Sequence, residues 1–100
     1  MGGAPIPDIL VDDTHTLWQQ HVRFLRGARI DIVLDNAGLE LFMDLCMADW
    51  MVHHGYAGTC MLHVKQMPWF VSDAMANDVS WIVDAVGAAG MLRHRTCCIL

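Results

Sequence analysis

The sequence predicts an α/β fold, a fragment of a parallel sheet with elements in the order helix, strand, helix, strand, helix. Short β-branched, apolar segments at residues 28–34 and 60–64 are typical of buried strands in a parallel sheet. Segments with helical periodicity at residues 13–25, 39–54 and 77–89 alternate with these strands. Parallel strands need right-handed crossover connections, and the alternating helices supply them.

The first predicted helix, residues 13–25, carries apolar side chains at helical spacing from Leu17 onward. Thr14 is expected to cap its N terminus, and Gly27 is expected to close the segment. Residues 28–34 then form the first strand. Their apolar, β-branched character predicts burial on both faces of the sheet.

The second predicted helix, residues 39–54, is apolar around most of its circumference, with a narrow polar stripe around Glu40 and Asp44. Gly55 is expected to stand at its C-terminal cap. Such a helix needs neighbours on several sides, and two strands do not make a stable sheet alone. The sequence therefore predicts that this chain is a piece of something larger.

The second strand, residues 60–64, is followed by a loop that contains Pro68. The last predicted helix, residues 77–89, comes after this loop, and Asn77 is expected to cap it.

The composition limits what this chain can do. One hundred residues make at most one small domain, in which a large active-site architecture is not expected to be complete. The net charge is -5, and the six Lys and Arg residues are scattered, so the basic face that nucleic-acid binding requires is missing. Nucleic acids are therefore poor candidates as partners.

The apolar stretches are too short for a membrane span. Asp44, Asp49, His53 and His54 interrupt them before the roughly 20 clean residues that a membrane helix needs. The N terminus also lacks the basic and then apolar pattern of a secretory signal. The expected localisation is therefore the cytoplasm.

The four cysteines, Cys46, Cys60, Cys97 and Cys98, have no CxxC spacing, which favours buried free thiols in a reducing compartment. The C-terminal CCIL fits the prenylation pattern formally, with Cys97 as acceptor. The favoured alternative is that residues 91–100 are a tail of uncertain origin, left by truncation of a longer coding sequence. A four-residue pattern is easily met by chance.

Acidic and amide side chains stand beyond the ends of the two predicted strands. Asp35 and Asn36 follow the first strand, and Asp73 lies in the loop after the second, where ligands bind in open parallel sheets. Asp35 and Asn36 can serve one site only if the chain turns there, and Gly38 makes such a turn easy. Carboxylate and amide oxygens suit Mg²⁺ or Mn²⁺, but Asp and Asn are also ordinary helix caps. Spacing alone leaves both interpretations open.

Two longer motifs carry a family resemblance. "ARIDIVLDNAGLELFMDLCMADW", followed by "LHVKQMPWFVSDA", closely resembles the metal-binding domain of the damage-control phosphatases, in the branch also called acidic-residue methyltransferase-like proteins. "VDDTHTLW" resembles the segment before it, so the resemblance covers about residues 8–90. It implies an N-terminal lead-in and helix over residues 1–27 and a partial metal-binding α/β domain over residues 28–90.

The resemblance implies a metal-dependent phosphatase with a Rossmann-like three-layer parallel sheet, of which this chain is a fragment. Such an enzyme is expected to hydrolyse sugar phosphates such as fructose 1-phosphate and fructose 6-phosphate. Its ion is expected to be Mn²⁺ or Ni²⁺, with Mg²⁺ or Co²⁺ as further choices. Carried over residue by residue, the metal ligands and catalytic residues are Asp35, Asn36 and Asp73. Glu40 is expected to orient a water or a substrate hydroxyl, and Lys65 to neutralise a phosphate. The ordinary alternatives, an acid in the first turn of a helix and a solvated lysine, stay open for these two residues.

Other residues weaken the expectation of a complete site. Family members carry a later Arg-Thr-x-Lys motif that helps hold phosphate, whereas Arg95-Thr96 is followed here by Cys97-Cys98. Trp69 and Phe70 could wall a substrate pocket, but packing is favoured for both. Two other functions therefore stay open. One is a non-catalytic metal-binding or self-associating fragment, and the other, by resemblance alone, is a protein-carboxylate O-methyltransferase.

Overall fold

Helices and strands alternate around one small parallel sheet in the computed structural model, which describes residues 8–67, 69, 71–88 and 97–99. In chain order the elements are α1 (Thr14–Gln20), a 3-10 helix (Val22–Phe24), β1 (Ala28–Val33), α2 (Leu39–His53), β2 (Ala57–His63), α3 (Ala76–Ala88) and β3 (Cys97–Ile99). The strand order is β1-β2-β3, and both pairings are parallel. This architecture confirms the predicted α/β fold with a Rossmann-like sheet.

One face of the sheet carries the core. Ile30 lies opposite Cys60 and Ile32 opposite Leu62 in the register of β1 and β2. Side chains of the helices pack on this face in two apolar clusters. The buried members are Leu34, Leu41, Leu45, Leu62, Ala74 and Val79 in one cluster, and Ala48, Met51, Ala57 and Cys60 in the other. The first cluster contains Leu34 and Ala74, so it lies directly beneath the ends of the strands.

The prediction that β1 is buried on both faces is wrong for the described part of the chain. Successive β1 residues alternate between half-buried and exposed, and Val33 is 79% exposed. The exposed face carries charged groups: Asp31 accepts hydrogen bonds from Arg29 Nε at 2.8 Å and Nη2 at 2.9 Å. His63 Nε2 lies 2.8 Å from the same carboxylate, so a hydrogen-bond network links β1 to β2 on this face.

The first helix is shorter than predicted. α1 ends at Gln20, and His21, with φ -131° and ψ -66°, separates it from the 3-10 helix. Thr14 is not the cap, because Asp13 holds the N-cap position and makes no side-chain cap hydrogen bond. Instead, Asp12 Oδ1 accepts hydrogen bonds from the backbone N–H of Thr14 at 3.0 Å and from its hydroxyl at 2.5 Å.

α2 follows the prediction closely. It ends at His53, and Gly55 adopts the left-handed φ of +77° while its N–H donates to the Val52 carbonyl at 3.1 Å. Four apolar residues at helical spacing remain exposed on its outer side, and together they are called the outer stripe below. The outer stripe consists of Leu39, Met43, Met47 and Trp50.

β2 begins at Ala57, three positions before the predicted start at residue 60. The sequence there contains Gly58, which is characteristic of turns rather than strands. The structure explains this glycine, because a Cβ at position 58 would lie 2.9 Å from the carbonyl oxygen of Gly27. Gly27 has φ +62°, so two glycines let the chain before β1 pass close against β2.

The N terminus of α3 is capped differently from the prediction. The helix starts at Ala76, so Asn77 lies in its first turn rather than at the N-cap. Asp78 Oδ2 accepts a hydrogen bond from the backbone N–H of Met75 at 2.9 Å, as the acidic residue of a capping box does. No helix in the described part of the chain is long and apolar enough to cross a membrane.

Candidate functional site

The segment before α3 runs between the ends of β1 and β2. The N–H of Ala74 donates to the Asp35 carbonyl at 2.7 Å, and the Ala74 carbonyl accepts from the N–H of Lys65 at 3.0 Å. Residues 72–75 therefore bridge the two strand ends through backbone hydrogen bonds. These bonds fix the relative positions of the backbone segments that carry the predicted site residues.

Asn36 and Asp73 lie opposite each other in an isolated antiparallel β-bridge. Gly38 has φ +84°, a conformation that glycine adopts readily, and α2 begins at the next residue. The turn that the shared site requires is therefore present. It brings Asp35, Asn36 and Asp73 together at one edge of the sheet.

Asp73 is the most enclosed of these residues. It is only 6% exposed, and its Oδ2 accepts a hydrogen bond from the backbone N–H of Trp69 at 2.9 Å. Its Oδ1 lies 3.4 Å from Lys65 Nζ. A buried carboxylate needs such partners, because burial without them would favour its neutral form.

Lys65 also reaches the second carboxylate. Its Nζ lies 3.5 Å from Oδ1 of Asp35, which is largely exposed. Burial lowers the pKa of the Lys65 amine, but the attraction of Asp73 and Asp35 outweighs this effect, so its pKa is raised above the ordinary value. Lys65 therefore carries its positive charge at neutral pH.

The amide of Asn36 is held from both sides. Its Oδ1 accepts a hydrogen bond from the hydroxyl of Ser72 at 2.8 Å. Its Nδ2 donates to Glu40 Oε2 at 3.1 Å, and its backbone N–H donates to Glu40 Oε1 at 3.4 Å. Both carboxylate oxygens of Glu40 thus contact Asn36, which supports a role for Glu40 in orienting the Asn36 amide. The predicted contact of Glu40 with a water or a substrate hydroxyl stays a prediction.

Ser72 was not among the residues selected from the sequence. The signal that could have identified it is its position directly before Asp73 in "WFVSD". The Ser72 hydroxyl lies on the segment that pairs with the end of β1, close enough to donate a hydrogen bond to the Asn36 amide.

A cleft of about 620 Å³ opens over these side chains. Its lining residues are Asp35, Asn36, Lys65, Trp69, Ser72 and Asp73. Trp69 is 80% exposed, so the expectation that it packs in the core is wrong. Phe70 lies outside the described residues. The indole of Trp69 therefore stands as a wall of the cleft, available to a ligand.

The donor set fits a hard divalent cation. The lining offers carboxylate oxygens of Asp35 and Asp73 and the amide oxygen of Asn36, and two carboxylates against the single ammonium of Lys65 leave it negative. Within the described ranges, His, Cys, Asp and Glu form no group of three that could hold a metal. The triplet of Asp35, Asn36 and Asp73 differs from such a group because its third donor is an amide.

The described cysteines, Cys46 and Cys60, are not among the residues that line this cleft. Cys46 is a free thiol. Cys60 is buried, and its Sγ lies 3.8 Å from the Ala48 carbonyl oxygen. Arg95 and Thr96, which match the first two positions of the family's phosphate-binding motif, lie outside the described residues. The predicted tail, residues 91–100, contains the backbone of β3, which pairs with β2.

Comparison with known proteins gives consistent results. The model of the "Damage-control phosphatase ARMT1-like domain" family matches residues 6–97. "Damage-control phosphatase ARMT1" of Mus musculus is 38% identical over 96 residues, which are 91% of this chain and 22% of the relative. The Danio rerio protein of the same name is 41% identical over 88 residues, 81% of this chain and 20% of the relative. The human protein of that name is 37% identical over 86 residues, 80% of this chain and 20% of the relative. The chain thus spans about a fifth of the length of these relatives.

Proposed function

The chain belongs to the ARMT1-like damage-control phosphatase family, and we propose that it carries the metal-binding part of a metal-dependent phosphatase active site. The proposed substrates are sugar phosphates such as fructose 1-phosphate and fructose 6-phosphate. The observation that carries the proposal is the convergence of Asp35, Asn36 and Asp73 on one cleft, with Lys65 beside them. A phosphate ester is negatively charged, so the ammonium group of Lys65 would attract it.

The proposed ion is Mn²⁺ or Ni²⁺, with Mg²⁺ or Co²⁺ as further choices, and Asp35, Asn36 and Asp73 would hold it. When bound, such an ion supplies Lewis-acid polarisation of a phosphoryl oxygen and lowers the pKa of bound water. The chain's contribution is orientation. Ser72 and Glu40 keep the Oδ1 of Asn36 fixed, and the N–H of Trp69 keeps the Asp73 carboxylate in place.

Hydrolysis of the ester transfers the phosphoryl group from the sugar oxygen to water. A bond forms between the water oxygen and phosphorus, the bond from phosphorus to the sugar oxygen breaks, and the sugar oxygen takes a proton. Lys65 would neutralise charge on the transferring group, and the exposed indole of Trp69 would limit the access of bulk water on one side of the cleft.

Calorimetric titration of the 100-residue chain with MnCl₂, together with phosphate release from fructose 1-phosphate, tests this proposal. We expect Asp73→Asn and Asp35→Ala to abolish Mn²⁺ binding and any turnover, because each removes a charged ligand. Asp84→Asn is the matched control, since it removes an exposed acid of α3 outside the cleft lining. Unchanged Mn²⁺ affinity in both ligand variants would refute the proposed site.

A second candidate, a non-catalytic fragment that associates with itself, is favoured by the outer stripe. Leu39 is 75% exposed, Met43 57%, Met47 48% and Trp50 42%, so apolar side chains are exposed along the length of α2. Light scattering after size exclusion would compare the wild type with a Met43→Glu, Met47→Glu variant. A dimer that becomes monomeric in this variant, without phosphate release in either protein, would favour this candidate. A monomeric wild type with turnover would exclude it.

A further inference from the structure

Lys65 contacts both carboxylates of the proposed metal site. Its Nζ lies 3.5 Å from Asp35 Oδ1 and 3.4 Å from Asp73 Oδ1. A divalent cation that bound these two oxygens would have to share them with the ammonium group. Two positive charges that share the same carboxylate oxygens repel each other, and the repulsion is poorly screened beside Asp73, which is 6% exposed.

We infer that Lys65 is a tethered competitor for the metal ion, and that the metal, by displacing the ammonium group, frees it to bind phosphate. This inference rests on the proposed function and deepens it. It adds an order of binding to the site, in which the metal binds first and the phosphate ester second, and it makes the two affinities depend on one side chain.

The local structure allows the ammonium group to move while the backbone stays in place. The N–H of Lys65 is fixed to the Ala74 carbonyl at 3.0 Å, whereas its side chain is 41% exposed. Lys65 also lines a second cleft of about 610 Å³, whose lining includes Gln66 and Asn77. Lys65 therefore also borders open space in a cleft whose lining does not include Asp35 or Asp73.

A lysine is suited to this exchange. Its charge is compact, and it sits on a flexible four-carbon stem, so the group can swing without disturbing its neighbours. An arginine at the same place would hold a carboxylate through two parallel hydrogen bonds and would be harder to displace.

Titrations with MnCl₂ and with inorganic phosphate on the full chain test the inference. In Lys65→Met, we expect the Mn²⁺ dissociation constant to fall by about tenfold, because the competitor is gone. We also expect phosphate binding to the Mn²⁺-loaded chain to weaken by about tenfold, because the phosphate loses its partner. The phosphate titration is run below the concentrations at which manganese phosphate precipitates.

Two further variants separate the inferred role from simpler effects. Arg23→Met removes the same charge from the 3-10 helix, outside the cleft lining, and should leave both affinities unchanged. Lys65→Arg keeps the charge and the contacts, so its Mn²⁺ affinity should not rise.

Opposite changes in the two affinities are the signature of competition, because a folding defect would weaken both. Equal Mn²⁺ binding by wild type and Lys65→Met would overturn the role of Lys65 while leaving the proposed metal site standing. Absence of Mn²⁺ binding in both proteins would overturn the metal site, and the inference with it.

Discussion

Asn36 and Asp73 face each other across an isolated antiparallel β-bridge, although one follows β1 and the other follows the loop after β2. The backbone thus sets where two of the proposed ligands stand. Orientation is set separately, because the hydroxyl of Ser72, the residue before Asp73, donates to Asn36 Oδ1 at 2.8 Å. Position and orientation of the amide therefore depend on the same short segment.

Ser72→Ala should weaken Mn²⁺ binding by roughly tenfold without unfolding the chain, because partners that orient a metal ligand typically contribute about 10–100-fold to affinity. The hydrogen bond between Ser72 and Asn36 is exposed, so its loss leaves no buried group without a hydrogen bond. Calorimetric titration with MnCl₂ and a melting curve on the same samples give the two readouts. Ser72→Thr keeps the hydroxyl and should restore binding. Wild-type affinity in Ser72→Ala would show that Glu40 alone orients the amide.

The convergence of Asp35, Asn36 and Asp73 could be predicted because it depends on a general rule. The carboxyl ends of parallel strands lie at the same edge of the sheet. Gly38, which follows Asp35 and Asn36, permits the turn that places both residues at this edge. α2 could be predicted for a similar reason, since fifteen helical residues leave a strong periodic signal.

The contacts inside the site could not be predicted, because they depend on tertiary structure. Only the folded chain shows that residues 72–75 run between the two strand ends, or that Ser72 and Glu40 hold opposite ends of one amide. The exposure of Trp69 escaped prediction for the same reason. An aromatic residue after a proline usually packs, and its sequence does not reveal the open cleft beside it.

Gly58→Ala should destabilise the fold by about 1–3 kcal/mol, because overpacking against rigid backbone forces neighbouring atoms to shift. The new Cβ would stand 2.9 Å from the Gly27 carbonyl oxygen. Urea denaturation measures the change in the free energy of unfolding. Gly87→Ala on α3 is the matched control: nothing lies within 4 Å of its Cβ position, so it should stabilise the helix by up to about 1 kcal/mol. Equal effects of the two substitutions would mean that the close approach of β2 to Gly27 is not rigid.

Asp31 should make stability depend on pH in the acid range. The hydrogen bonds from Arg29, followed by that from His63, lower the pKa of Asp31 from 3.8 to about 2 in the folded chain. A carboxyl whose folded pKa lies below its unfolded value stabilises the fold above about pH 4, and this contribution is lost as the pH falls towards 2. Asp31→Asn removes the ionisation, so the variant should be less stable than wild type at pH 6 and approach it near pH 2.

Urea denaturation of both proteins between pH 2 and pH 6 measures this convergence of their free energies of unfolding. Asp84→Asn, which removes an exposed acid of α3 outside this network, serves as the control for the loss of one acidic side chain. Because the Asp31 network faces solvent, added salt should reduce the Asp31→Asn effect by screening the ion pairs. A difference between wild type and Asp31→Asn that stays constant from pH 6 to pH 2 would show that the network on the open face does not stabilise the ionised carboxylate.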